Sequence, residues 1–489
     1  MWIFQSLTQA ELAELLIPQS FEKKRSRAQA PRESSSTDQG SKDQGSKDQD
    51  QAFTHHADAS AVASSAALQD AVAQDALIRA QKRARYRAKQ IFHWVYQRYV
   101  SDWDEMSDLA KDLRAWLKEN VSIYSLEVKQ SHQALDGTHK FLWTLQDQKT
   151  IESVIIPAAL QEKDEVPSPE TGSETIPKAN STPVSPFRHA VTPSQFAGKK
   201  VEFTEVDLNS DHWARLTACI SSQVGCAMAC KFCLTGIQGL DRHLQVHEIV
   251  TQVWELRRRA PITNIVFMGM GEPLHNLDAV AKACQILLDP DGMNFSKRKV
   301  TVSTSGLVPQ IDELGKRVDV SLAISLNATT DETRSQIMPV NKRWNLQALM
   351  DACRRFPLSA HRRITFEYVL LKDFNDSLED AERIAKLTRG IPAKINLIPF
   401  NEHSGSEFKR PDDARVRVFQ RVLLNHGLTC TVRISRGRDI LAACGQLRSI
   451  FGTARGTERH RDWASEASFV EGASGAAKSL AALPGAERP

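Results

Sequence analysis

The chain has 489 residues, 41% hydrophobic and 25% charged, with 63 Lys and Arg against 59 Asp and Glu for a formal net charge of +4. That length allows two or three domains, no apolar run is long enough to span a bilayer, and the start, Met1-Trp-Ile-Phe-Gln-Ser-Leu, lacks the basic beginning and long apolar core of a signal peptide. The sequence therefore predicts a cytoplasmic protein, in which eight cysteines read as ligands, nucleophiles or buried thiols rather than a disulfide framework.

In chain order, residues 1–22 and 76–120 carry helical patterns and are read as one accessory domain. They are split by residues 23–75, where Ser, Gln, Asp and Lys recur in Gly-Ser-Lys-Asp-Gln units with few large apolar residues. Such a stretch cannot bury a core and reads as a disordered insertion. From Arg79 to Tyr99 the chain combines Arg79, Lys82, Arg83, Arg85, Arg87, Lys89 and Arg98 with Tyr86, Phe92, Trp94, Tyr96 and Tyr99, and contains no acid. Basic groups engage phosphates and aromatics stack on unpaired bases, which makes this a candidate RNA-facing surface. The spacing of Ile91, Trp94, Val95 and Arg98 also fits a helix that buries an aromatic face. Residues 121–157 form a β-hairpin segment carrying Glu152. Residues 158–210, dense in Pro, Ser, Thr and Glu, read as a second disordered insertion, and residues 448–489 as a fraying tail.

Residues 211–447 alternate β-like runs with helical patterns, the runs being Leu216 to Val224, Asn264 to Met270, Lys299 to Thr304, Val320 to Leu326, Ile364 to Leu371 and Lys394 to Pro399. This alternation implies an α/β fold with a parallel sheet and right-handed crossovers, whose functional groups gather at the C-terminal strand ends. Straight after the first run comes Cys226-Ala-Met-Ala-Cys230-Lys-Phe-Cys233. Three thiolates at this spacing would leave one iron of a [4Fe–4S] cluster open to bind something else, whereas structural zinc takes four protein ligands. A zinc site completed by His243 or His247, a redox pair and simple packing remain open on spacing alone. One strand later, Gly269-Met-Gly271-Glu272-Pro273 allows close approach of a ligand, with a carboxylate placed to receive an ammonium group; its ordinary reading is a tight strand-to-helix turn.

The cysteine spacing resembles the signature of radical S-adenosylmethionine (SAM) enzymes, and further motifs narrow the likeness. Arg87-Ala-Lys-Gln-Ile-Phe-His-Trp-Val-Tyr96, Ile151-Glu-Ser-Val-Ile-Ile-Pro157, Ser221-Ser-Gln-Val-Gly-Cys226, Met268-Gly-Met-Gly-Glu-Pro-Leu-His-Asn276, Ser303-Thr-Ser-Gly306, Ile395-Asn-Leu-Ile-Pro-Phe-Asn401 and Asp439-Ile-Leu-Ala-Ala-Cys-Gly-Gln-Leu447 stand in family order over most of the chain. Together they resemble the RlmN-type dual-specificity RNA (adenine-C2) methyltransferases of the radical SAM class. The resemblance implies a partial (β/α)6 TIM-like barrel with an N-terminal helical RNA-binding domain. It implies that Cys226, Cys230 and Cys233 hold one [4Fe–4S] cluster whose free iron chelates SAM, and that SAM cleavage yields a 5′-deoxyadenosyl radical. Contacts to SAM fall, by the same resemblance, to Gly271, Glu272, Ser303, Ser325, Leu326, Asn327 and Asn401.

C2 of adenine is an electron-poor sp² carbon that cannot attack a sulfonium methyl directly. The resemblance supplies the detour: Cys444 takes a methyl from one SAM, the radical from a second SAM removes a hydrogen from the S-methyl group, and the methylene radical adds to C2. Glu152 then accepts the C2 proton, and Cys219 attacks the sulfur, leaving a transient Cys219–Cys444 disulfide. The implied substrates are an adenosine in the peptidyl-transferase centre of 23S rRNA and the adenosine 3′ of the anticodon in tRNA. A reducing system such as flavodoxin would supply electrons, no membrane is involved, and the protein is expected to be a monomer.

Without that likeness, Cys219 reads as a buried strand cysteine, Glu152 as a solvated side chain, and Cys444 as part of a flexible exposed loop, while Cys284, Cys353 and Cys430 read as packing residues. Asn327 stands where the family usually has His. Two alternatives remain: a C8-methylating rRNA enzyme of the antibiotic-resistance type, and a non-catalytic, metal-containing RNA-binding protein.

Overall fold

The structure is a computed structural model that describes residues 1–28, 59–158, 215–359, 361–403, 406–433 and 435–447. These fall into two compact units: Leu7–Ser122 with Met1, and Trp2–Ser6 with Ile123 onward, the second opening on a two-residue strand, β1 (Trp2–Ile3). Among the described residues no helix is long and apolar enough to cross a membrane.

The first unit holds α1 (Gln9–Ala28), α2 (Ala59–Phe92), α3 (Lys111–Asn120) and a two-residue strand, β2 (Val121–Ser122). Along α2, Ala80, Ala84, Ala88 and Ile91 recur every three or four residues and are fully buried, giving the helix one apolar stripe. Arg79, Lys82, Arg83, Arg85, Tyr86 and Lys89 are exposed. A π-helical turn, His93–Gln97, ends α2 and buries Trp94, Val95 and Tyr96 in succession, more than an α-helical stripe allows. The Trp94 indole donates to Asp108 Oδ1 at 2.5 Å, and the Arg98 guanidinium lies 4.2 Å from its ring centroid. Phe92, Trp94 and Tyr96 are therefore packing residues, and the basic groups with Tyr86 make the solvent-facing side. The segment read as the first insertion is helical where it is described, since α1 continues to Ala28 and α2 begins at Ala59. The run from Ala59 to Ala73 is rich in alanine, a strong helix former that an inventory of large apolar residues overlooks. Residues 29–58 and 159–214, which hold most of both expected insertions, and the tail 448–489 lie outside the described residues.

The second unit is built on one open mixed sheet. Antiparallel strands β3 (Glu127–Gln133), β4 (His139–Thr144) and β5 (Thr150–Pro157) lead into β6 (Leu216–Cys219). A small ribbon follows, β7 (Gln223–Gly225) with β8 (Leu240–His243). Next come the parallel strands β9 (Asn264–Phe267), β10 (Val300–Thr304), β11 (Ser321–Ser325), β12 (Ile364–Leu370), β13 (Ala393–Pro399) and β14 (Thr429–Val432). The order is β14-β13-β12-β11-β10-β9-β6-β5-β4-β3, and its two ends do not pair. Parallel neighbours need crossovers, supplied by α4 (Leu234–Gln238), α5 (Val246–Arg257), α6 (Leu277–Leu288), α7 (Val308–Arg317), α8 (Asp331–Ile337), α9 (Leu346–Arg355), α10 (Leu378–Leu387) and α11 (Asp413–Asn425).

The six expected runs are all present, with three differences. The first breaks after Cys219, because the chain turns under Met270, whose carbonyl accepts Ser222 N at 2.8 Å, and resumes as β7 in the ribbon. A seventh parallel strand, β14, is only four residues long and escapes a pattern search. The Glu152 segment is not a separate hairpin but extends the main sheet, through Val154 opposite Cys219.

Register assigns the two faces, since paired residues and residues two apart share a side. Val154 pairs with Cys219, Cys219 with Val266, and Val266 with Thr301. Ser303 pairs with Ala323, Ser325 with Glu367, Glu367 with Asn396, and Asn396 with Thr431. Glu152, Cys219, Ser303, Ser325 and Glu367 thus stand on one polar face. The other face carries Phe267, Val302, Leu322, Ile324, Phe366 and Ile395, all buried.

Candidate active site

Cys226, Cys230 and Cys233 lie on the loop that leaves β7. Gly225 starts it at φ +78°, and a Cβ there would sit 1.8 Å from Gly239 O, so only glycine lets the ribbon close. Cys226 N donates to Gly239 O at 2.9 Å, Lys231 N to Ile337 O at 3.0 Å, and Leu234 N to Gly445 O at 2.8 Å. The loop is thereby fixed to the ribbon, to the end of α8 and to the turn after Cys444. Burial pushes all three thiols up, and Cys226 and Cys230 are raised further by the neighbouring cysteines. Thiols close enough to repel one another as thiolates suit a shared cation. Among the described residues no group of three or more His, Cys, Asp or Glu is already gathered to hold a metal ion.

The donor set fits a three-thiolate iron–sulfur cluster better than zinc. His243 Nδ1 lies 2.9 Å from Gln223 Nε2. His247 Nδ1 lies 3.2 Å from Ser6 Oγ, with its ring edge-on to Tyr124. Both candidate fourth ligands are committed elsewhere.

At the C-terminal end of β9, Gly269 packs on Ile220, whose carbonyl would lie 2.6 Å from a Cβ, and Gly271 sits at φ +103° against Gln223. The buried Glu272 carboxylate accepts Ser305 N at 2.7 Å and Leu274 N at 3.1 Å; burial raises its pKa and these bonds oppose the rise. Gln223 supports the turn from behind, its Oε1 accepting Glu272 N at 2.7 Å. Ser303 is buried on the next strand. Asn401 Oδ1 is buried without a hydrogen-bond partner among the described residues, the state expected of a group that awaits a ligand.

Ser325, Leu326 and Asn327 end β11. The Ser325 and Leu326 carbonyls accept from the Arg334 guanidinium at 3.0 and 2.9 Å. Asn327 has φ +55°, a conformation asparagine tolerates. Its Oδ1 accepts Val369 N at 2.9 Å and its Nδ2 lies 3.3 Å from Met338 Sδ. That side chain holds the strand end together beside the Ser325 and Leu326 carbonyls.

Cys444 belongs to a segment that is tied down rather than flexible. Gly437 N donates to Asp136 Oδ2 at 2.9 Å, Leu135 N to Asp439 Oδ2 at 3.2 Å, and Lys140 Nζ to Leu441 O at 3.3 Å. Asn401 Nδ2 lies 3.4 Å from Cys444 O, and Thr235 Oγ1 donates to Leu447 O at 2.6 Å. Cys444 lines a pocket with Ile156, Ile398, Asn401, Arg433 and Ala443. Glu152 is buried and paired with Lys140 Nζ at 3.1 Å, not solvated.

Cys219 is buried and its thiol is pushed up to about 12, by burial first and by Cys444 second. Arg433 raises no such barrier: its guanidinium, 3.8 Å from Glu367 Oε1, opposes the burial that pushes the Cys444 thiol up. Cys219 and Cys444 are both free thiols, so the expected disulfide is absent from this state. Sequence reasoning singles out none of Lys140, Arg334, Glu367 and Arg433, and it reads Gln223 only as part of the Ser221 to Cys226 motif. A charged residue inside a β-pattern, such as Glu367, is the clue that was available.

Residues 220–387 match the radical SAM superfamily and residues 75–123 the ribosomal RNA large subunit methyltransferase N-terminal domain. The class defined by sheet and cysteine loop is that of radical SAM proteins. Over 364 residues the chain is 50% identical to the dual-specificity RNA methyltransferase RlmN of Syntrophotalea carbinolica, covering 74% of this chain and 84% of that one. The RlmN of Geobacter sulfurreducens is 48% identical over 364 residues, 74% of this chain and 86% of its own. A radical SAM methyltransferase structure from Sphaerobacter thermophilus is 40% identical, covers 74% of this chain and 93% of its own, and superposes with a TM-score of 0.60. The chain belongs to the RlmN family of dual-specificity RNA methyltransferases.

Proposed function

We propose that this protein methylates C2 of adenosine in the peptidyl-transferase centre of 23S rRNA and 3′ of the anticodon in tRNA, through an S-methylcysteine at Cys444. The observation that carries the reading is the meeting of Cys444, Cys219 and Arg433 at one end of the sheet whose polar face also bears Glu152. Cys226, Cys230 and Cys233 would hold a [4Fe–4S] cluster, with Gly271, Glu272, Ser303, Ser325, Leu326, Asn327 and Asn401 around SAM. Once bound, cluster and SAM supply the electron and the hydrogen-abstracting radical. Cys444 acts first as a thiolate nucleophile toward a methyl group, favoured by the Arg433 charge. The radical adduct would lose one electron, for which the oxidised cluster would be the acceptor, and its C2 proton to Glu152, whose carboxylate Lys140 keeps in place, leaving a closed-shell thioether between the RNA and Cys444. Cys219 attacks the Cys444 sulfur; the S–CH2 bond breaks, its electron pair goes to the methylene carbon, and that carbon takes a proton to become methyl. The resulting disulfide is returned to thiols by an external two-electron reductant.

In the accessory unit, the exposed Arg79, Lys82, Arg83, Arg85 and Lys89 grip RNA phosphates. A flavodoxin-type system provides the electron, and the enzyme works as a monomer. The test is anaerobic reconstitution with SAM, reductant and 23S rRNA fragments or tRNA, followed by nucleoside mass spectrometry beside Cys444→Ala. Cys444-dependent 2-methyladenosine is expected in both RNAs. Formation of 8-methyladenosine would move the chain to the C8 enzymes, and unmodified RNA despite SAM cleavage would refute the substrate.

A further inference from the structure

Arg334, on α8, has 0% of its surface exposed, and its hydrogen bonds all go to neutral oxygens. Nε donates to Leu326 O at 2.9 Å, Nη1 to Asn341 Oδ1 at 3.0 Å, and Nη2 to Ser305 O at 2.6 Å and Ser325 O at 3.0 Å. No carboxylate forms an ion pair with it among the described residues. A buried guanidinium without an anion is costly, and proteins seldom keep one unless an opposite charge arrives in the working state. Three carbonyls and one amide oxygen satisfy its N–H groups, and the one carboxylate that bears on its charge, Asp331 a turn earlier on α8, reaches it only through Asn341 and not as a direct ion pair.

The place where an anion would arrive adjoins it. One turn after Arg334, Ile337 O accepts the amide of Lys231, which is the residue after Cys230. The Arg334 charge is felt at Cys230, where it favours the thiolate. On the far side, Ser305 offers its carbonyl to Arg334 and its amide to Glu272, so the cation is also one residue from the carboxylate assigned to SAM.

We propose that Arg334 is the buried counter-charge of the iron–sulfur cluster and favours its reduced form. This rests on the reading of Cys226, Cys230 and Cys233 as ligands. Three thiolates on a [4Fe–4S]2+ core leave one net negative charge, and one-electron reduction makes it two. A fixed cation in a low-dielectric surrounding stabilises the second charge more than the first and raises the potential. Arg334 touches no reacting atom; it is a positioning residue that tunes the cluster.

The experiment uses full-length protein, reconstituted anaerobically without SAM, as wild type, Arg334→Gln, Arg334→Met and Arg334→Lys. Iron and sulfide per chain are measured first. The cluster is then titrated with dithionite and redox mediators, and the reduced form is followed by electron paramagnetic resonance. At a fixed solution potential, the Gln and Met variants are expected to show a reduced-to-oxidised ratio about tenfold lower, about 59 mV for a one-electron couple. Arg334→Lys is expected to stay near wild type. Equal shifts in the Lys, Gln and Met variants would reduce Arg334 to a brace for the strand ends, and wild-type titration in all three would also overturn the inference. A wild-type chain that takes up no iron would instead refute the cysteine reading, which the metal analysis detects before any potential is measured.

Discussion

The two faces of the sheet differ in burial and in what their side chains meet, since Val266, Thr301, Thr365 and Asn396 on the polar face are only half-buried. On the helix-covered face, Phe267, Val302, Ile324, Phe366 and Cys430 are buried, and burial alone pushes the Cys430 thiol up to about 12. On the open face, Glu152, Glu367 and Cys219 are equally hidden, yet each meets a charge or another thiol. Cys219 and Cys430 both occupy strands and are both buried, so residue type and burial do not tell which of them meets another thiol. Strand parity does.

The sharpest way to break this distinction is to exchange the readouts. Cys444→Ala should lower methylation by about 10³-fold or more, as loss of a covalent nucleophile does, while the urea midpoint of the protein stays within error; a matching loss of stability would make the loop structural. Phe366→Ala on the opposite face should cost about 3–5 kcal/mol in denaturant unfolding, with methylation per folded molecule retained. Glu152→Gln should slow turnover by about 10²-fold, the low end for a lost general base, and single-turnover experiments should accumulate the RNA crosslinked to Cys444. If the crosslink resolves at the normal rate, another group takes the proton.

The smallest effect concerns Cys284, buried on α6 with its thiol pushed up to about 12 from 9.0 by burial alone. The folded state keeps a proton that the unfolded state releases, so stability is complete below about pH 9 and falls as pH rises toward about 12. Cys284→Ala should make that decline shallower in denaturation curves. An unchanged slope would mean that this thiol ionises as readily when folded.

Much of this arrangement is legible in the sequence because it is local. The cysteine triplet, the Gly269 to Glu272 turn and the parallel runs are each set by residues within a few positions of one another. What is not legible depends on pairs far apart. Lys140 meets Leu441 across 301 positions, and nothing around Lys140 marks it as more than a strand lysine. Glu152 looks solvated until β6 is laid beside β5. The place of Asn327 after Ser-Leu does not show that its side chain also ties β11 to the backbone of β12, which the positive φ and the Val369 bond reveal. The helix from Ala59 was hidden by its small residues, which build helix without a bulky stripe.

The contacts of Asp136 with Gly437, Leu135 with Asp439 and Lys140 with Leu441 join an early hairpin to nearly the last described residues, over about 300 positions each. Closing so long a span adds only slowly to the entropy cost, but contacts of this range form late in folding. During synthesis the hairpin must wait with its loop unfilled until residues 437–444 have left the ribosome. Because Leu234 N also donates to Gly445 O, the cysteine loop and the pocket around Cys444 are completed by the same late segment, so neither reaches its final form before the other.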